Sequence, residues 1–379
     1  MPDLVTYVGS LDRLQLAHAH KATQIILDDP SLSCRSYQVP DAEALATLKT
    51  LLPVAVNYYP ESAISVNYDA VMYDATDYTD LVLAVLKHYP GIKLRVYDYG
   101  IMMAILQKDP GRPVCFSADI GQMNTAMVTA LPTPYCLLSP ELTYHQIKQL
   151  PNLSYDLLVH GPVLLQYSYR QYLGKSGPGY IDDAAYPGRL YPVLENNHGH
   201  FMYFYMDRCL LSVATALKTL TLNGWIVDGR GQSDAYLRTA LAAYQAVLTG
   251  SAVDEAAVQA VSPRPLKPLF FIANRTDSNT RVYPDDTQCV GSIIHSEKQG
   301  KIYAELCDWV TTGDALGLYT PQSYKRQETQ YYKPAPDLRD ITGKRVHQAG
   351  PGEIIQLPWI RGAAVGSRLL VFQKFDIID

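Results

Sequence analysis

YCLLSPELTYHQIKQLPNLSYDLLVH, from Tyr135 to His160, decides the fold. It opens with an apolar run of strand length. Ser139-Pro140-Glu141 then reads as a helix start, with Ser139 as N-cap and Glu141 in the first turn, where a carboxylate complements the helix dipole. PELTYHQIKQL has helical spacing, and DLLVH from Asp156 is a second apolar strand. A strand, a helix and a strand in such close succession make a crossover between parallel strands.

The same alternation runs from Leu4 to about Leu248. Further strands are predicted at LVTYV from Leu4, QIIL from Gln24, VAVNY from Val54, LRVYD from Leu94, VCFSA from Val114 and WIVD from Trp225. Helical stretches such as DAEALATLKTLL and YTDLVLAVLKHY lie between them. Strands in this number, each followed by a helix, predict an α/β fold, a TIM-like (β/α) barrel. Gly174 to Tyr191 is rich in Gly and Pro and is predicted as a long βα loop. Ser262 to Pro268 is proline-dense and reads as a linker. Beyond it CVGSII, KIYAEL, ALGLYT, KRVHQA, GEIIQLP and RLLVFQK alternate as short strands. The expected organisation is an α/β barrel over residues 1–262 and a small C-terminal β-barrel domain over 263–379.

With 47% apolar and 18% charged residues, the 379-residue chain is globular rather than disordered. The net charge is −5, and the segment from Arg264 onward holds 15 basic against 13 acidic residues. No basic footprint for non-specific nucleic-acid binding is evident. The first residues lack the basic and apolar regions of a signal peptide, and no apolar run is long enough to span a membrane. The six cysteines are scattered, so reduced buried thiols and a cytoplasmic location without membrane association are expected. The 29 Tyr against 7 Phe allow a lined cavity or an interface as well as a compositional habit.

Asp28, Asn57, Asp98, Asp119, Ser139, Glu141, His160 and Asp228 all fall at or just after predicted strand ends, the face that carries active sites in such barrels. Arg230 offers a fork for a carboxylate or phosphate, or else a structural ion pair with Asp228 or Glu195. Arg170 has the same two readings. His198 and His200, with Asp207 and Cys209 behind them, could attract zinc or iron only if a turn brought Cys209 back, so no metal is expected. The GKS at Gly174 lacks the preceding glycine of a phosphate loop, and neither G-x-S-x-G nor H-E-x-x-H occurs.

LVHGPVLLQYSYRQYL from Leu158 and ENNHGHFMYFYMDRCLL from Glu195 resemble two blocks of the U-32 family, the collagenase-like peptidases. Several members are iron–sulfur proteins serving RNA or quinone hydroxylation. Their first block reads HG-x-L-x-x-x-x-S-x-R-C, a Cys pair follows, and the second block ends D-L-C. Here Ser168 and Arg170 agree, but Gln171 stands at the first Cys position, and no Cys lies between Cys136 and Cys209. SPEL at Ser139, Gln122 with Asn124, the run Asp228-Gly229-Arg230 with Ser233 and Tyr236, Ala273-Asn274-Arg275, and TGDAL at Thr312 match further family patterns in order.

Position at the strand C-termini supports a shared pocket, with Glu141, His160 and Asp228 as catalytic candidates. Gln122, Asn124, Ser168, Arg170, Glu195 and Arg230 are the substrate-binding candidates. A four-thiolate cluster is expected to be absent, because one cysteine cannot hold it. Three functions follow as expectations. The first is a cluster-less binding or partner subunit, working beside a cluster-bearing homologue in hydroxylating RNA or a quinone precursor. The second is an enzyme of altered chemistry on a small anionic or aromatic substrate. The third, a protease, lacks a visible nucleophile–base pair.

Overall fold

In the computed structural model the described residues are 1–35, 43–70, 78–117, 124–174, 177–182, 189–272, 287–298, 300–319, 330–331, 337–359, 363–365 and 367–372. Eight parallel strands close on themselves: β1 (Asp3–Val8), β2 (Gln24–Leu27), β3 (Ile64–Tyr68), β4 (Lys93–Val96), β5 (Val114–Ser117), β6 (Tyr135–Leu137), β7 (Ser154–Ser168) and, after an antiparallel excursion, β11 (Gly224–Val227). β11 pairs with both β1 and β7, which completes the ring. Helices α1 (Leu11–Ala19), α2 (Ala46–Ala55), α3 (Thr79–Val85), α4 (Tyr99–Lys108), α5 (Thr125–Ala130), α6 (Tyr144–Lys148), α7 (Ala214–Lys218), α8 (Asp234–Thr249) and α9 (Glu255–Val261) accompany the strands. The expected TIM-like barrel is therefore present.

Strand alternation divides the barrel's side chains. Leu4, Ile25, Leu94, Val114, Leu157 and Val227 join the large core between strands and helices. Val5, Tyr7, Ile26, Cys115, Leu137, Leu158 and Ile226 form a separate cluster within the ring. Burial of each large apolar side chain stabilises the fold by about 1.5–3 kcal/mol.

Two local expectations are corrected. VAVNY from Val54 is not a strand; it ends α2, where Leu51, Leu52 and Ala55 are buried against the barrel, and Pro53 is accommodated inside the helix. The third strand is ISVNY, ten residues later in the chain, so Asn57 is an exposed residue bonded to the Pro53 carbonyl rather than a strand end. The helix expected from Ser139 begins instead at Tyr144. Thr143 is its N-cap, and Thr143 with Gln146 completes a capping box.

The predicted loop from Gly174 to Tyr191 is also corrected. β7 runs on past the ring, and β8 (Gly177–Asp182), β9 (Leu190–Asn196) and β10 (Gly199–Cys209) form with it an antiparallel arm in the order β7-β10-β9-β8. Pro178 sits on β8, the outermost described strand, where a missing N–H costs no ladder bond. β12 (Leu266–Lys267) pairs with β10, so part of the proline-dense segment is tied to the arm's base.

The chain divides into two compact units, residues 1–182 with 189–274, and 183–188 with 275–379. The second contains β13 (Thr287–Ser296), β14 (Lys301–Leu306), β15 (Val310–Thr311), β16 (Leu316–Tyr319), β17 (Gln330–Tyr331), β18 (Arg339–Asp340), β19 (Gln348–Ala349), β20 (Ile354–Pro358) and β21 (Arg368–Phe372). They make an antiparallel sheet in the order β17-β16-β21-β13-β14-β20-β18 and a small β15–β19 ladder over their own apolar core. Ala273-Asn274-Arg275, Asp119 and Gln122 lie outside the described residues.

Candidate functional site

The inward positions on β3 and β4 are Ser65, Asn67, Lys93 and Arg95, so one side of the ring is polar. At the strand C-termini this polarity becomes a buried charged network. Arg230 forks onto Asp228, with Nη2 donating at 2.7 Å and Nε at 3.0 Å. Its Nη1 reaches Asp28 at 3.3 Å and stands 3.9 Å from Asp69. The guanidinium lies 3.6 Å from the centre of the Tyr7 ring. Asn67 donates to Asp28 at 2.8 Å and to Ser33 at 3.1 Å. Arg35 approaches Asp69 at 3.7 Å.

These carboxylates are pushed apart. Burial raises the Asp28 pKa by more than the Arg230 charge lowers it, and Asp69 adds to the rise. Burial acts on Asp228 too, but there the forked Arg230 outweighs it and holds the carboxyl below its ordinary range. Arg230 is thereby tied to its own chain's carboxylates and is almost fully buried.

The other anticipated residues are dispersed. The ring of His160 does not face the mouth. β7 carries one extra residue against β11, since Ile226 opposes Leu158 whereas Val227 opposes His160. This bulge turns His160 outward, onto Tyr236 and Tyr244 of α8, at centroid distances of 5.1 and 5.7 Å. Gly161 at φ 131° follows, because a Cβ there would meet the Asp228 carbonyl at 2.6 Å. His160 is fully buried with neither ring nitrogen bonded among the described residues, and burial brings its pKa down to about 3. Glu141 is half-exposed in the turn after β6, its backbone N–H donating to Ser139 Oγ. Asp98 caps α4 and Asn124 caps α5.

Ser168, Arg170 and Glu195 gather at the arm's far end. Ser168 Oγ donates to Tyr172 and accepts from the Arg170 N–H, while the Arg170 side chain is exposed. Glu195 Oε1 accepts from the N–H groups of Tyr172 at 2.5 Å and Leu173 at 2.8 Å, and pairs with His200 Nδ1 at 2.7 Å. Burial works against the Glu195 charge, but these donors lower its pKa. His198 bonds the Pro30 carbonyl and Asn196 the Cys34 carbonyl, which docks the arm onto the loop after β2.

The cluster implied by the family resemblance does not fit these residues. The Gln171 amide donates to the Asn196 carbonyl at the arm's far end. Cys209 lies at the other end of β10, beside Tyr244, about 30 Å away at ~3.3 Å per strand residue. Among the described residues no three His, Cys, Asp or Glu side chains are placed to hold a metal.

Sequence reading missed Asn67, Asp69, Arg35 and the Arg95–Asp156 ion pair inside the ring. A polar residue alternating with Leu94 and Val96 was the available signal for Arg95.

Two solved structures resemble the chain weakly. An α-L-fucosynthase of Thermotoga maritima is 10% identical, covering 95% of this chain and 76% of that one, with a TM-score of 0.29. Chitinase ChiW from Paenibacillus sp. str. FPU-7 is 12% identical, covering 94% and 46%, with a TM-score of 0.21. At these scores neither bears on fold or function. No curated protein matches. Among the described residues no helix is long and apolar enough to cross a membrane. Residues 9–281 match the family model Peptidase family U32, and over this barrel and arm the chain belongs to that family.

Proposed function

We propose that this chain is a U32 protein without an iron–sulfur cluster, acting as a binding or partner subunit beside a cluster-bearing homologue in hydroxylation of RNA or a quinone precursor. The observation that carries the reading is what Gln171, at the first Cys position of the family pattern, and the candidate site residues do here. Gln171 and Glu195 pin the arm's end, His160 packs on α8, and Asp228 neutralises Arg230. A protease reading has less support. Among the described residues His160 bonds nothing and His198 meets a carbonyl; Glu195 orients His200 as it would a general base, but no Ser, Thr or Cys is bonded to that ring.

The test is anaerobic purification of the full chain, with iron and sulfide analysis and an absorbance spectrum, followed by mass spectrometry of co-purifying proteins. Colourless protein without stoichiometric iron, carrying a cysteine-rich U32 homologue, is expected. Brown protein with stoichiometric iron and sulfide would overturn the reading.

A further inference from the structure

Arg95, Arg230 and Arg264 each meet a buried aspartate. Arg208 does not. It lies on β10 opposite Gly161 and is fully buried. Among the described residues only Nη1 is engaged, donating to the Pro140 carbonyl at 2.9 Å, and Nε and Nη2 have no hydrogen-bond partner. These two N–H groups form one edge of the guanidinium plane, the edge with which Arg230 grips Asp228. Such an edge matches two oxygens of a carboxylate or phosphate.

The surroundings hold this fork in place. Pro140 anchors one corner, and the Phe271 ring lies 5.6 Å from the guanidinium carbon. Phe271 belongs to a short 3-10 turn entered through Leu269 at φ 48°, a conformation that a bulky L-residue rarely adopts. Burial lowers the Arg208 pKa to about 9, which still leaves it charged at neutral pH. A buried cation with no counter-charge is costly, so a site of this shape is stabilised by an anion.

We propose that Arg208 binds a small oxyanion, a carboxylate or phosphate group, on its Nε–Nη2 edge between Pro140 and Phe271. The site is distinct from Arg230, whose fork is already filled, and it does not depend on the partner-subunit reading.

The test uses thermal unfolding of the full chain in sodium phosphate or sodium acetate against chloride, at fixed pH and ionic strength. Wild type is expected to show a saturable rise in Tm with phosphate, acetate or both, and the responding anion identifies the chemistry. R208M keeps the length without the charge and loses the saturable rise. R208K keeps the charge without the fork and binds about tenfold more weakly. It also carries the comparison if R208M does not fold. A wild-type response that does not saturate, as excluded salts produce, overturns the site, as does an equal saturable response in R208M. Glu141, next to Pro140, is the nearest alternative occupant in sequence. E141Q should leave the anion-free Tm unchanged; a drop that disappears in an R208M background would show Glu141 filling the fork and sink the proposal.

Discussion

His160 shows how one residue's role is decided by neighbours. With an ordinary pKa of 6.5, brought down to about 3 by burial, it stays neutral in the fold. Below pH 6.5 the unfolded chain takes up a proton that the folded chain refuses, so stability falls as pH drops. The slope from this group is about 1.4 kcal/mol per pH unit, or roughly 2 kcal/mol lost by pH 5. Urea unfolding of wild type and His160→Leu at pH 7 and pH 5 should show the variant losing less between the two. An identical loss in both proteins would rule out His160 as the acid-sensitive group. His160-Gly161 reads as a strand end in the sequence, whereas β7 runs on to Ser168, and the bulge that turns the ring outward depends on the register against β11.

At the scale of elements, the arm is the main departure from a simple barrel. Its end is held by one carboxylate oxygen that accepts from two backbone N–H groups and pairs with a histidine. Glu195→Ala should therefore free residues 169–173. Removing the acceptor of charge-assisted bonds costs about 1.5–3 kcal/mol each at most, so the loss is expected within the arm rather than across the barrel. Hydrogen exchange should speed up at Tyr172 and Leu173 while β1 and β2 stay protected; unchanged exchange at Tyr172 would refute this role. The arm escaped sequence reading because GKSGPGYIDDAAYPGRLY carries no period. Its β8 and β9 pairing comes from the continuation of β7 past the ring. α2 was misread for a related reason. Val54-Ala55-Val56 has strand character, yet Ala55 closes the helix's buried face.

At the scale of the whole barrel, its interior encloses charge as well as apolar packing. Arg95 of β4 and Asp156 of β7 pair within the ring, with Cys115 3.8 Å from Arg95 Nη1 and Asn223 also bonded to Asp156. Breaking a buried pair costs about 3–5 kcal/mol, whereas replacing both partners by apolar residues is close to neutral. Arg95→Met should destabilise strongly, and Arg95→Met with Asp156→Leu should recover most of that loss in denaturant unfolding. A double variant as unstable as the sum of the singles would contradict the pairing. By itself the sequence determined the barrel, the family and the cysteine deficit, because βα alternation, ordered motifs and residue identities are local properties of the chain. Only the tertiary structure decided which polar residues meet. Ring closure brings Asp28, Asp69 and Asp228 around Arg230, a bulge withdraws His160, and β10 buries Arg208 without an ion pair among the described residues, because these contacts join positions far apart in the chain through strand register.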